Sequence, residues 1–158
     1  MRAVVDSTVL IALARAKLLE LLKELFTEVV APPAVWAEAT EEGKEGSREI
    51  LASEFIRVVE VRDRSLIPLL ARLDEGEAEA ILLARELKAD VVVLDDRDSR
   101  AAAKLLGLRV VGTAGLLVLA KRRGLIKEVR PVLELMRRKG FYLSDKVVRE
   151  VLAEAGEL

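Results

Sequence analysis

Residues 89–100 read ADVVVLDDRDSR. Val91, Val92, Val93 and Leu94 form an unbroken apolar run, mostly β-branched, as expected of a strand buried on both faces inside a parallel sheet. Asp95, Asp96 and Asp98 follow at once, with Arg97 and Arg100 among them. Clustered carboxylates repel and raise one another's pKa unless a positive charge sits nearby. The stretch is therefore either a solvated turn or one side of a cation site at the mouth of a strand.

The same alternation runs through the chain. Further strands are predicted at 3–5, 28–31, 56–61 and 109–111, beside 91–94. Amphipathic helices are predicted at 7–16, 17–26, 33–41, 47–53, 75–87 and 99–106. Beyond Gly112 the chain reads as wholly helical, at 116–123, 132–139 and 146–155. Strands alternating with helices of this length specify βαβ units around a mainly parallel sheet. Pro33 suits a first helical turn, and Gly107 and Gly124 stand where helices should stop. EEGKEGS at 41–47 reads as a flexible polar loop. With 158 residues and no long linker or repeat, the expectation is one α/β domain over 1–158, with five strands, flanking helices and a helical C-terminal part.

Composition narrows the chemistry. The chain is 52% hydrophobic and 34% charged, which excludes disorder. Cysteine and histidine are absent, which excludes disulfides, zinc-thiolate sites, a Cys nucleophile and a His base. A metal site must then be built from oxygen, which favours Mg²⁺ or Mn²⁺. Aromatics are 3%, so stacking platforms for nucleic acid are scarce. No leader or apolar run of about 20 residues is legible, so a cytoplasmic protein without a membrane span is expected. The wealth of Lys, Arg, Glu, Leu and Val is in keeping with a thermophilic source. The net charge of −1 conceals nine acids between Asp74 and Asp98, and eight bases between Lys121 and Gly140. An acidic centre beside a basic surface suits a polyanion handled through metal ions.

Ligands of open α/β sheets bind beyond the carboxyl ends of the strands, where the strand order reverses. Four acids are expected near that edge. Asp6, in AVVDSTVLIAL, ends the first strand and is also a good helix cap. Glu38, in PPAVWAEAT, follows Val35 by three residues and should face inward. Glu77, in LDEGEAEAILLAREL, shares a face with Ala80, Ile81 and Ala84. Asp74 can cap that helix, and Glu79 and Glu86 should be solvated. Asp96, with Asp95 as alternate, closes the set, and Asp98 or Ser99 is expected to cap the next helix.

In order and spacing these residues resemble a PIN domain, the nuclease fold related to flap endonucleases. The family's strand-end acid motif is similar to VVDST, its helical Glu to VWAEAT, its acid-led helix to EAEAILLA, and its T-x-D to LDD at 94–96. GTAGLLVLAKRRGLI at 112–126 resembles the branch that contains the toxin ribonucleases of VapBC-type toxin–antitoxin pairs. The chain departs from the pattern in having Leu94 for the Thr of T-x-D, and Glu77 where Asp is commoner. The resemblance implies Mg²⁺- or Mn²⁺-dependent cleavage of RNA. Asp6, Glu38 and Asp96 would be ligands, with Asp95 as alternate, and Glu77 would complete the ring and orient the attacking water. Thr8 would hydrogen-bond a ligand carboxylate, and Arg97, Arg100 and Lys104 would approach the scissile phosphate. A small antitoxin and a homodimer are expected partners, and Leu116, Leu117, Val118 and Leu119 in a row are either core or a dimer face. A non-catalytic module binding metal, RNA or protein is the alternative. A phosphoryl-accepting domain fits less well, because the first strand ends in a lone acid and no Lys follows VVGT.

Overall fold

The computed structural model describes residues 1–158. The β-branched runs form β1 (Arg2–Val5), β2 (Glu28–Ala31), β3 (Ile56–Val58), β4 (Val91–Val93) and β5 (Val110–Val111). All neighbours pair in parallel, in the order β3-β2-β1-β4-β5. β1 is thus the middle strand, and β4 is interior, as its apolar run predicts. The outermost strands are only three and two residues long, which limits the unpaired edge.

Nine helices flank the sheet. They are α1 (Ser7–Arg15), α2 (Glu20–Leu25), α3 (Pro33–Ala39), α4 (Ser47–Ala52), α5 (Glu75–Glu86), α6 (Arg97–Leu105), α7 (Thr113–Arg122), α8 (Val129–Arg138) and α9 (Asp145–Glu154). A 3-10 turn at Ile67–Leu70 falls in a stretch where no element was predicted. α6, α7 and α8 begin two or three residues before their predicted starts. Apolar periodicity cannot see a first turn occupied by polar residues or by Pro131, which that turn tolerates. The third strand stops at Val58 rather than 61, and the chain then turns so that Val61 is buried.

The chain runs from β1 to β3 on one side of the sheet, then returns past β1 to place β4 and β5 on the other. The strand order therefore reverses between β1 and β4. Val5 stands opposite Val93, and the Asp6 N–H donates to the Val93 carbonyl at 3.3 Å. Asp6 and the Leu94–Asp96 segment thus leave the sheet side by side, at the crevice where doubly wound sheets bind ligands.

Leu116, Leu117 and Val118 are fully buried, and Leu119 packs half-buried against the core. α7 touches α1, α2, α8 and α9, so it is surrounded and its apolar row belongs to the core of this one chain. That removes the sequence motive for a dimer face there. No helix is long and apolar enough to cross a membrane. Leu116→Ala should lower the free energy of unfolding in urea by about 2–5 kcal/mol. Because the contact is within one chain, that loss should not vary with protein concentration.

Candidate metal site at the sheet edge

Asp6 is the innermost charge. It stands at the N-cap position of α1, yet its side chain makes no capping hydrogen bond. The residue is 2% exposed, and its Oδ1 is buried with no hydrogen-bond partner at all. The other oxygen, Oδ2, lies 3.5 Å from Thr8 Oγ1, at the limit of a hydrogen bond. Thr8 thus stands beside the Asp6 carboxylate, though loosely. Burial pushes the Asp6 carboxyl up to about 7. The charges of Glu77, Asp74 and Glu38 act in the same direction, and the Ser7 N–H against it.

The other acids stand around this point, at the starts of α5 and α6 and in the last turn of α3. Asp74 and Glu77 form a capping box on α5: the Glu77 N–H donates to Asp74 Oδ1 at 2.8 Å, and the Asp74 N–H to Glu77 Oε1 at 3.2 Å. The Asp74 cap is as predicted, and Glu77 Oε2 stays uncommitted. Desolvation raises the Glu77 pKa, helped by the charges of Asp74 and Asp96 and opposed by the Asp74 N–H. Glu38 is exposed at the rim rather than facing inward, because α3 turns Val35 and Ala39 to the core. Its carboxylate accepts no hydrogen bond and lies over the α5 N-terminus, where Oε2 would stand 3.6 Å from a Cβ on Gly76.

The acid pair after β4 divides unambiguously. Both oxygens of Asp95 are taken by Thr113, at 2.8 Å from its N–H and 2.7 Å from its hydroxyl. Asp95 thus acts as a cap supplied from outside to α7, each of its oxygens already accepting one hydrogen bond. Burial raises its pKa, against the Thr113 donors and Arg100. Asp96 caps α6, accepting from the Ser99 N–H at 2.9 Å on Oδ2, and its Oδ1 remains free. The predicted cap, Asp98, lies exposed in the first turn. Leu94, in the place of the family's Thr, is buried in the core.

Of the expected phosphate-binding residues, Arg97 and Lys104 are exposed on α6. Arg100 is half-buried: its Nη1 donates to the Leu94 carbonyl at 2.9 Å and neighbours Asp95. Gly112 permits this arrangement, since a Cβ there would lie 2.9 Å from Arg100 Nη1 and 3.2 Å from Asp95 Oδ1. Glu79 is also not solvated. It is 6% exposed, accepting from the Ala34 N–H and from Arg64, both at 3.2 Å. Glu86 accepts from the N–H groups of Arg62 and Asp63. Much of the basic stretch is likewise committed. Lys121 pairs with Glu157 at 3.0 Å, Arg123 bonds the Leu25 carbonyl, and Arg137 meets Asp145 at 3.5 Å.

Asp74 was read from sequence as a cap only, yet its charge acts on Asp6. The D-x-x-E spacing signalled the cap but could not show its neighbour. As the side chains stand, no three acids are close enough together to hold a metal ion. The free oxygens are Asp6 Oδ1, both of Glu38, Asp74 Oδ2, Glu77 Oε2 and Asp96 Oδ1. The orphaned, buried Asp6 Oδ1 fits a bound cation, since an ionised carboxylate out of water needs a positive partner.

The family model described as a PIN domain matches residues 2–157. No curated protein matches the chain.

Folded Asp6 holds its proton to about pH 7, against 3.8 for an unperturbed carboxyl. The native state therefore binds the extra proton between those values. Its stabilising effect is complete below about pH 4 and is lost as pH rises through about 7. In EDTA, unfolding free energy should fall across that window by at most about 4 kcal/mol, and Asp6→Asn should flatten the fall in pH-resolved urea titrations. Asp95→Ala should destabilise the fold by about 1–3 kcal/mol by stripping Thr113 of its acceptor, read from the same titrations.

Proposed function

The chain belongs to the PIN domain family, and from that membership and its nuclease-type fold we propose that it is a Mg²⁺- or Mn²⁺-dependent endoribonuclease. One observation carries the metal assignment: Asp6 Oδ1 is buried at the strand-order reversal without a hydrogen-bond donor, among three other acids. Asp6 is the anchoring ligand, and Asp96 Oδ1 and the Glu38 carboxylate complete the grip. Asp96 is favoured over Asp95 as the ligand after β4, because its Oδ1 carries no hydrogen bond whereas each Asp95 oxygen already accepts one from Thr113. A bound Mg²⁺ or Mn²⁺ supplies an acidified water and neutralises charge developing on the phosphoryl oxygens.

The protein's own groups do the rest. Glu77 keeps Oε1 on the Asp74 N–H and offers Oε2 to orient the attacking water. Burial and the nearby charges of Asp74 and Asp96 raise its pKa, which favours proton uptake from that water. Thr8 steadies Asp6 Oδ2 from the solvent side. Arg97, unpaired on the first turn of α6, is the cation free to meet the scissile phosphate, whereas Arg100 holds the loop that presents Asp96. In the finer reading, the protein is the toxin of a toxin–antitoxin pair, working in the cytoplasm as a homodimer. A small antitoxin would block the acidic edge by offering Asp6 an Arg in place of the metal.

The test uses mixed-sequence RNA oligonucleotides with Mn²⁺. Native protein should cleave them, and Asp6→Asn should lose activity by about a hundredfold or more, beyond a typical outer-shell loss. Mn²⁺ should also raise the melting temperature of native protein at pH above about 7, and not that of Asp6→Asn. Equal behaviour of the two proteins in both measurements would leave the non-catalytic module as the correct reading.

A further inference from the structure

A cavity of about 500 Å³ opens beside the acidic edge, between α1 and the segment that follows α8. Thr8, Asp95 and Asp96 line its inner end, and Arg15, Lys139 and Tyr142 are among the residues that line the remainder. It therefore joins the candidate metal site to a cationic wall. Gly140, at φ +99°, makes the turn that sets Lys139, Phe141 and Tyr142 against the end of α1.

Three cations face this space, and two are already paired. Lys44 meets Glu41 at 3.0 Å, and Lys139 meets Glu45 at 3.5 Å. Arg15 makes no ion pair and no side-chain hydrogen bond, and its Nε is buried without an acceptor. A cation in the last turn of α1 favours the helix dipole, but that role does not require burying an unsatisfied N–H. A guanidinium left unpaired on a cavity wall has the fork geometry for a phosphate. Tyr142 is the second anomaly. It is the only tyrosine in the chain and 85% exposed, whereas its neighbour Phe141 packs on the core. An exposed ring beside a cationic groove is a stacking surface for a base.

We propose that Arg15 and Tyr142 form a substrate subsite for single-stranded RNA, Arg15 gripping a backbone phosphate outside the scissile bond and Tyr142 stacking a base. The assignment rests on the nuclease reading, because that reading sets a phosphodiester at the cavity's inner end. The strand then leaves along the cavity wall that carries Arg15, the one cation lining this cavity without an ion pair. An acidic polypeptide would also meet Arg15, but it would have no use for the exposed ring.

Binding of a short fluorescein-labelled oligouridylate, followed by fluorescence anisotropy in EDTA, tests the subsite without any cleavage. Arg15→Gln should weaken binding about tenfold and lower the log–log salt slope by about 0.7, the loss of one phosphate contact on a single strand. Arg15→Lys should keep the slope. Tyr142→Ala should weaken binding about tenfold with the slope unchanged, and so exposed a side chain can be removed without harm to the fold. If both Arg15→Gln and Tyr142→Ala bind as native protein does, the subsite is refuted. If polyglutamate displaces the probe from native protein as readily as unlabelled oligouridylate, the cavity is an acidic-peptide site and the proposal is likewise overturned. Mn²⁺-dependent cleavage by native protein and Asp6→Asn is measured alongside. Cleavage with unaltered Arg15→Gln and Tyr142→Ala binding sinks the subsite alone. Weakened binding without cleavage sinks the nuclease reading and upholds the RNA site.

Discussion

A carboxylate almost wholly removed from water, one oxygen lacking any donor, is the condition around which this protein is arranged. Asp6 cannot withdraw from that position. It follows directly on β1, the middle strand, and its own N–H is tied to the Val93 carbonyl. The surrounding core leaves no room for it to reach solvent, so its charge must be met by a proton or a cation. The raised pKa expresses the first solution. The second is what a metal would provide.

Those acids are held by ordinary helix-capping rules that leave oxygens to spare. Asp74 and Glu77 satisfy each other's N–H groups, and Asp96 satisfies the Ser99 N–H. Each arrangement is stabilising in itself, by about 0.5–2 kcal/mol for a cap. The cluster can therefore exist in the folded chain without metal, its repulsion partly offset locally. Asp95 shows the other outcome: its two oxygens are spent on Thr113, and it serves α7 rather than the site. Neighbours in sequence thus do different work because one points along the sheet edge and the other under the next helix.

Several features were legible because they depend on local rules. The run at 91–94 announced an interior strand, and the order of strands and helices announced a parallel α/β sheet. Asp74 as a cap and the helix stops at Gly107 and Gly124, both at positive φ, were equally readable. The misreadings share one cause. Glu79 sits one helical turn from solvent-facing positions, and nothing local reveals that the α3 N-terminus and Arg64 wait for it. Glu38 was expected inward because Val35 and Ala39 are, but a side chain only three residues along still stands at the rim of a seven-residue helix. The apolar row at 116–119 exceeded one helix face, and only the packing of four other helices around α7 accounts for it.

The amino-acid sequence by itself determined the elements, their parallel pairing class and the exclusion of Cys and His chemistry. These follow from periodicity, propensity and composition, which act over a few residues or over none. Tertiary structure alone decided which acid is buried, which oxygens stay free, that Arg100 braces a loop while Arg15 faces a cavity unpaired, and that Asp95 belongs to α7. Those outcomes depend on contacts between residues apart in the chain, such as Asp95 with Thr113, whose proximity arises only once β4 pairs with β5.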